Sequence, residues 1–166
     1  MTIRVPAFPF LVVAVLACSG SQSPVPVVGA ESDISRLAGE WTGEYSSVET
    51  GRSGSILFKL SSGTDSATGD VVMSPQFAPG QPLGQSPPGQ VPSTTSQTLT
   101  INFVRVTGGQ VSGSLAPYTD PSCNCPLYTT FIGRLKADTL EGTYTSRHDQ
   151  GGYAQQGRWR VVRKRQ

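Results

Sequence analysis

From Leu37 to the C-terminus, apolar and polar side chains alternate with a period of two, the signature of half-buried strands. Gly39 to Tyr45 puts Trp41 and Tyr45 on one face and Glu40, Thr42 and Glu44 on the other. Ser55 to Leu60 sets Ile56, Phe58 and Leu60 against Lys59, and Ala67 to Met73 sets Gly69, Val71 and Met73 against Asp70. The rhythm resumes at Thr98, with Leu99, Ile101 and Phe103 inward, and continues through Val111, Gly113 and Leu115. Phe131, Gly133 and Leu135 lie within Leu127 to Leu135; Leu140, Gly142 and Tyr144 follow. Trp159 and Val161 end the series, in a strand from Gly157 to Lys164. Glu49-Thr50-Gly51, Ser61-Ser62-Gly63, Gly108-Gly109 and Lys136-Ala137-Asp138 supply turns.

The pattern therefore predicts eight strands and no long helix. Short turns between successive strands predict an antiparallel meander, and such a meander hides its edges by closing into an up-and-down barrel. Gly43, Gly69, Gly113, Gly133 and Gly142 fall on the apolar face of different strands. Inward glycines relieve crowding where barrel strands bend. A two-sheet sandwich is the alternative, and it explains these glycines less well.

Two stretches break the rhythm. Ser74 to Gln97 carries Pro75, Pro79, Pro82, Pro87, Pro88 and Pro92, too many for a strand. Its apolar residues, Phe77, Leu83 and Val91 among them, are isolated. The composition predicts a disordered loop projecting from one barrel end, between the third and fourth strands. An ordered lid is the alternative. Residues 18–36, with Pro24-Val25-Pro26, lack a sustained period and read as a flexible tether. The barrel domain is then 37–166.

The N-terminus has different chemistry. Arg4 precedes an apolar run whose densest part is Leu11 to Ala17, shorter than the ~20 residues that span a bilayer. It fits the core of a secretory signal covering residues 1–17. Val15-Leu16-Ala17-Cys18, followed by Ser19-Gly20-Ser21, resembles the lipobox of bacterial lipoproteins. That resemblance implies cleavage before Cys18, acylation of the cysteine and attachment to a membrane of the bacterial cell envelope. Ser19 after the cysteine implies the outer membrane where the organism has one. Acyl chains at ~0.8 kcal/mol per buried CH₂ would make the anchorage effectively permanent. An ordinary cleaved signal with an incidental cysteine is the alternative.

Composition agrees with export. Only 36% of residues are hydrophobic and 14% charged, the balance being largely Gly, Ser, Thr, Pro and Gln, a profile of exported all-β proteins. Loss of Arg4 takes the formal charge from +2 to +1, which gives no reason to expect nucleic acid. Arg158, Arg160, Arg163, Lys164 and Arg165 crowd the C-terminus. They read as a solvated strand edge, or as a contact to anionic headgroups beside the anchor.

With Cys18 acylated, Cys123 and Cys125 remain as an even pair. In an oxidising compartment they favour a disulfide, a tight local clip. The alternative is half of a metal site, with His148 as the third ligand and a carboxylate or water as the fourth. No cofactor is expected. His148, the one histidine, lies in a Gly/Gln-rich stretch beside Asp149 and reads as a solvated loop residue. No nucleophile elbow or pair of inward carboxylates accompanies it, so no enzyme is expected.

Gly39-Glu40-Trp41 resembles the Gly-x-Trp that opens the first strand of lipocalins, and Gly142-Thr143-Tyr144 is similar to Gly-x-Tyr strands of avidins. The resemblance to this calycin group implies a closed barrel in which a basic residue of the last strand packs over the tryptophan. Arg163, in phase with Trp159 and Val161, is the residue for that role, so Trp41 and Arg163 form the expected barrel-closing pair. The resemblance also implies a cup for a small apolar ligand, lined by Tyr45, Phe58, Phe103, Phe131, Tyr144 and Trp159. The other reading is a non-catalytic interaction or structural lipoprotein with a filled barrel.

Overall fold

The computed structural model describes residues 23–74, 96–120, 123–149 and 154–165. The signal segment, Cys18 and nearly all of the Pro-rich stretch, residues 75–95, lie outside the described residues. One sheet holds β1 (Val25–Val28), β2 (Gly39–Ser46), β3 (Ser53–Leu60), β4 (Ser66–Met73), β5 (Gln97–Thr107), β6 (Gln110–Leu115), β7 (Tyr118–Asp120), β8 (Cys125–Lys136), β9 (Thr139–His148) and β10 (Gln155–Arg163). The one helix among the described residues, the short α1 (Glu31–Leu37), links β1 to β2. Successive antiparallel pairings run from β2 to β6, then from β8 through β10. Two further pairings close the circuit: β6 with β8, at Val111 opposite Gly133, and β10 with β2, at Trp159 opposite Tyr45. The protein is an all-β closed barrel and not a two-sheet sandwich.

It has ten strands among the described residues, not eight. β7 is a three-residue strand paired to the start of β8. β1 comes from the stretch read as a tether, and that reading is corrected. β4 and β5 pair only from Asp70 opposite Thr100 to Met73 opposite Gln97. Beyond that they part, and β1 fills the gap, antiparallel to β4 at Val25–Ala67 and parallel to β5 at Val27–Val104. Val25 and Val27 are fully buried there. Four residues with a proline among them are too few to show a period, yet two buried valines suffice to hold the strand in place. The folded domain thus begins at or before Val25. Gln97, assigned to the loop, opens β5.

The outer face explains the register. Arg134 lies opposite Glu141, Glu141 opposite Arg160, and Arg160 opposite Glu44, so charges alternate across four strands. Opposite charges on neighbouring strands favour this alignment over a one-residue slip. The C-terminal basic cluster is thereby divided. Arg158 and Arg160 face outward on β10, Lys164 pairs with Glu40, and Arg163 turns over Trp41. Gly108 and Gly109, both at positive φ, make the tight β5–β6 turn.

The lower end is closed by Trp41, α1 and Arg163. Trp41 is fully buried and its Nε1 donates to the Leu37 carbonyl at 2.8 Å. Arg163 lies opposite Trp41, with its guanidinium carbon 4.3 Å from the ring centroid. The guanidinium also donates to the Ala38 carbonyl, to the Arg36 carbonyl at 2.8 Å and to Asp138 Oδ1 at 3.1 Å. One cation therefore satisfies carbonyls at the end of α1 that would otherwise lack partners. A desolvated cation over an indole contributes up to about 2 kcal/mol. Leu37 and Ile34 of α1 pack onto the core beneath.

Inside, aromatic rings lie on two of the inward glycines, Gly113 and Gly133. A Cβ on Gly133 would stand 2.4 Å from Trp159 Cζ2, and one on Gly113 would stand 2.5 Å from Phe131 Cζ. Gly133→Ala should therefore cost about 1–3 kcal/mol, read from urea unfolding. Adding Trp159→Leu, which removes the obstructing ring, should recover part of that cost. Simple addition of the two losses would mean that the contact does not set the packing.

Candidate functional site

The rings leave a residual cavity of about 100 Å³ in the barrel. Its apolar wall includes Ile56, Phe58, Val71, Ile101, Phe131 and Trp159. Tyr45, Tyr144, Tyr118 and Arg52 border it from the upper end. Of the six expected cup residues, Tyr45, Phe58, Phe131, Tyr144 and Trp159 line this cavity. Phe103 does not. The β5–β6 register shifts between Ile101 and Phe103, so the inward series runs Leu99, Ile101, Val104, Val106. The irregularity puts Phe103 in the outward phase, where Arg105 lies 5.7 Å from its ring centroid. Leu37, whose carbonyl accepts from Trp41 Nε1, lines the cavity's lower end.

The upper end carries a polar cap that periodicity does not reveal. Arg52 leaves the β2–β3 turn, Asp120 ends β7, His148 ends β9 and Gln155 opens β10. Asp120 is completely buried. Arg52 Nη2 donates to its Oδ1, and His148 Nε2 lies 3.0 Å from its Oδ2. Arg52 Nη1 donates to Gln155 Oε1 at 3.3 Å. A buried carboxylate is stable only when paired and hydrogen-bonded, and both conditions hold here. His148 is accordingly not a solvated loop residue; it is half-buried against Asp120. Beside this group, Tyr118 OH, Thr129 Oγ1 and Ser146 Oγ form a hydroxyl chain with separations of 3.1 and 2.6 Å. Ser74 and Gln97, which flank the undescribed stretch, lie at this same end, with Met73 opposite Gln97.

Tyr45 lies between this cap and the apolar wall. Its hydroxyl is buried and has no hydrogen-bond partner among the described residues. Its ring meets Tyr144 edge-on at 5.7 Å. Burial, the largest cause, raises the Tyr45 phenol well above its ordinary value; Tyr144 and Tyr118 reinforce the shift and Arg52 opposes it. Burial likewise raises Tyr144. Both therefore remain neutral donors at physiological pH.

Cys123 and Cys125 are joined by a disulfide, with Cα atoms 5.2 Å apart. The loop lies against the polar cap: Cys123 Sγ is 3.7 Å from His148 Nε2. The metal alternative draws on the same atoms, because both sulfurs and a His148 nitrogen lie within 4.8 Å of one another. His148 presents the same nitrogen to Asp120 and to Cys123. A nucleophile–base–orienter chain uses the two ring nitrogens separately, so these contacts do not form one.

Of the cap residues only His148 stands out in the sequence, as the third ligand of the metal alternative; Arg52, Asp120 and Gln155 have no signal of their own. Arg52 and Asp120 are 68 positions apart, and neither belongs to an alternating pattern. The hint was indirect: Asp120 is three residues before the cysteine pair, and a constrained loop fixes what precedes it.

The tyrosine shifts have a measurable consequence. Above the ordinary value of 10.0, the unfolded chain loses phenol protons that folded Tyr45 retains. The native state then binds more protons, so stability falls as pH rises through this range. Absorbance titration should show Tyr45 and Tyr144 ionising late, together with unfolding, and Tyr45→Phe should lessen the alkaline loss. Reversible ionisation of all five tyrosines in the folded protein near that value would contradict the burial.

The chain matches no family model, no curated protein and no solved structure.

Proposed function

We propose that the protein is a lipid-anchored, extracytoplasmic binding module of the bacterial cell envelope, attached through acylated Cys18. Its lipocalin-like barrel holds one small, largely apolar molecule with a polar end. The observation that carries the binding reading is the Tyr45 hydroxyl, buried and without a hydrogen-bond partner among the described residues, at the polar end of an otherwise apolar cavity. Leaving a buried donor unsatisfied costs about 1–3 kcal/mol, and an acceptor on a ligand would recover it. The volume limits that ligand. At about 100 Å³ the cavity is smaller than the 300–1,000 Å³ of ordinary ligand pockets. It suits a single ring or a short branched chain, not a fatty acid. Binding is preferred to catalysis because the only His–Asp contact is spent beside Arg52 and has no activated nucleophile in line with it.

The filled-barrel reading keeps one specific observation in its favour: Trp159 and Phe131 occupy the space above Gly133 and Gly113. In that case the protein would act through its surface, on a protein partner. The two readings separate in a thermal-shift comparison of phenol with toluene, which match in shape and differ in one hydroxyl. The binding reading expects phenol to raise the melting temperature more than toluene, and Tyr45→Phe to abolish the difference. Equal, negligible shifts from both compounds would turn the account to the filled barrel. The anchor is tested separately, by the intact mass of membrane-extracted protein; a mature chain that does not begin at Cys18, or that lacks acyl mass, would remove it.

A further inference from the structure

We propose that Cys123, Cys125 and His148 form a thiolate–imidazole metal site, closed by the disulfide and opened by its reduction. The ion it would take is a single borderline or soft cation, with Zn²⁺ the best fit. This goes beyond the binding module above and does not depend on whether the cavity holds a ligand.

Backbone pairing and turn hydrogen bonds hold the three residues in place. Cys125 opens β8 opposite Asp120 of β7, and His148 ends β9 opposite Leu127 of β8. The residues therefore sit at the ends of adjoining strands, held by ladders that do not need the disulfide. The turn between the cysteines is also held from below. The amides of Cys123 and Asn124 both donate to the Asp120 carbonyl, at 3.3 and 2.8 Å. Asn124 takes the left-handed φ of 53° that such a turn requires. Opening the S–S bond would leave two thiols still presented side by side.

The sulfur–imidazole spacing suits a tetrahedral ion, and reduction lets the two bonded sulfurs part to the same separation. Ligands at about 2.1–2.3 Å from such an ion stand about 3.5–3.8 Å from one another. Cys123 Sγ and His148 Nε2 are already 3.7 Å apart, and all three donor atoms fall within 4.8 Å. A water would complete the shell, within reach of Asp120 Oδ2, which lies 3.0 Å from Nε2, while Arg52 continues to neutralise the carboxylate. Two sulfurs and an imidazole select against Mg²⁺ and Ca²⁺, which prefer oxygen. Cys123 is exposed, so both reductant and ion can reach it.

The chemistry balances with a dithiol as reductant. Its thiolate attacks one sulfur of the Cys123–Cys125 bond, and its second thiol then displaces the mixed disulfide. The reductant leaves as a cyclic disulfide, having given two electrons, and the protein gains two thiols. Binding of M²⁺ releases the two thiol protons, and any proton on Nε2 shifts to Nδ1.

The test uses the full chain carrying Cys18→Ser, so that no third thiol contributes. After reduction by a dithiol and anaerobic removal of the reagent, Co²⁺ is titrated in. The site predicts a thiolate-to-cobalt charge-transfer band and strong tetrahedral visible bands, saturating at one ion per chain and bleached by Zn²⁺. The oxidised protein should show neither band. His148→Ala should weaken binding about tenfold or more and shift the visible bands, by loss of a direct ligand. Zinc should also protect Cys123 and Cys125 of the reduced protein from alkylation, read by mass, which does not require the variant to fold. Absence of the bands, saturation at one ion per two chains, or unchanged affinity in His148→Ala would each overturn the proposal.

Discussion

An aromatic ring laid on a backbone that has no side chain is the contact on which this barrel depends. Sheets of this width close only when strands bend, and the bend crowds their inward faces. At Gly133 and Gly113 the crowding is relieved by removing the side chain altogether; Phe131 fills the space over Gly113 from the adjacent strand, and Trp159 reaches Gly133 from two strands away, across Gly142. Their rings meet edge to face at 5.9 Å. Barrel shape and interior volume are thus fixed by the same pairs. The cavity of about 100 Å³ is what these rings leave uncovered, so its size follows from closure and not from a separate pocket.

The two ends solve opposite problems. At the lower end, Arg163 joins β10 to β2 and caps the carbonyls that follow α1, so a single cation closes both barrel and helix. At the upper end, a carboxylate is drawn fully inside and balanced by Arg52 and His148. Breaking such a pair leaves an uncompensated buried charge, which is far costlier than never burying it. The upper end is therefore committed to the arrangement of Arg52, Asp120 and His148. It is also the end that carries the cysteine loop, the flanks of the Pro-rich stretch and the buried Tyr45 hydroxyl.

What could be read from the sequence follows the same division. Strands of eight or more residues announce themselves, because alternation at Trp41, Tyr45, Phe58, Val71, Leu140, Trp159 and Val161 is set by burial on one face. The glycine positions were legible because strand phase fixes which way they point; the partnership of Trp41 with Arg163 was implied by the resemblance to the calycin group, phase only selecting Arg163 within β10. Phase also misled: one irregular residue in β5 turned Phe103 outward and brought Val104 inward. β1 was invisible because it is short and exists only where β4 and β5 separate. Asp120 was invisible because burying a charge depends on a partner supplied by distant chain, and no local pattern encodes it. His148 was misjudged for that reason, since its environment is made by Asp120.

The central claim is that closure leaves one small apolar space, topped by Tyr45. Apolar cavities of this scale stay dry and admit xenon. Xenon titration followed by heteronuclear NMR addresses that space directly, without assuming any natural ligand. The account predicts a single saturable site, with shifts confined to methyls of Ile56, Val71 and Ile101 and to the rings of Phe131 and Trp159, and lost when Ile101→Phe fills the space. Shifts scattered over the outer face, or no saturable response at all, would contradict it.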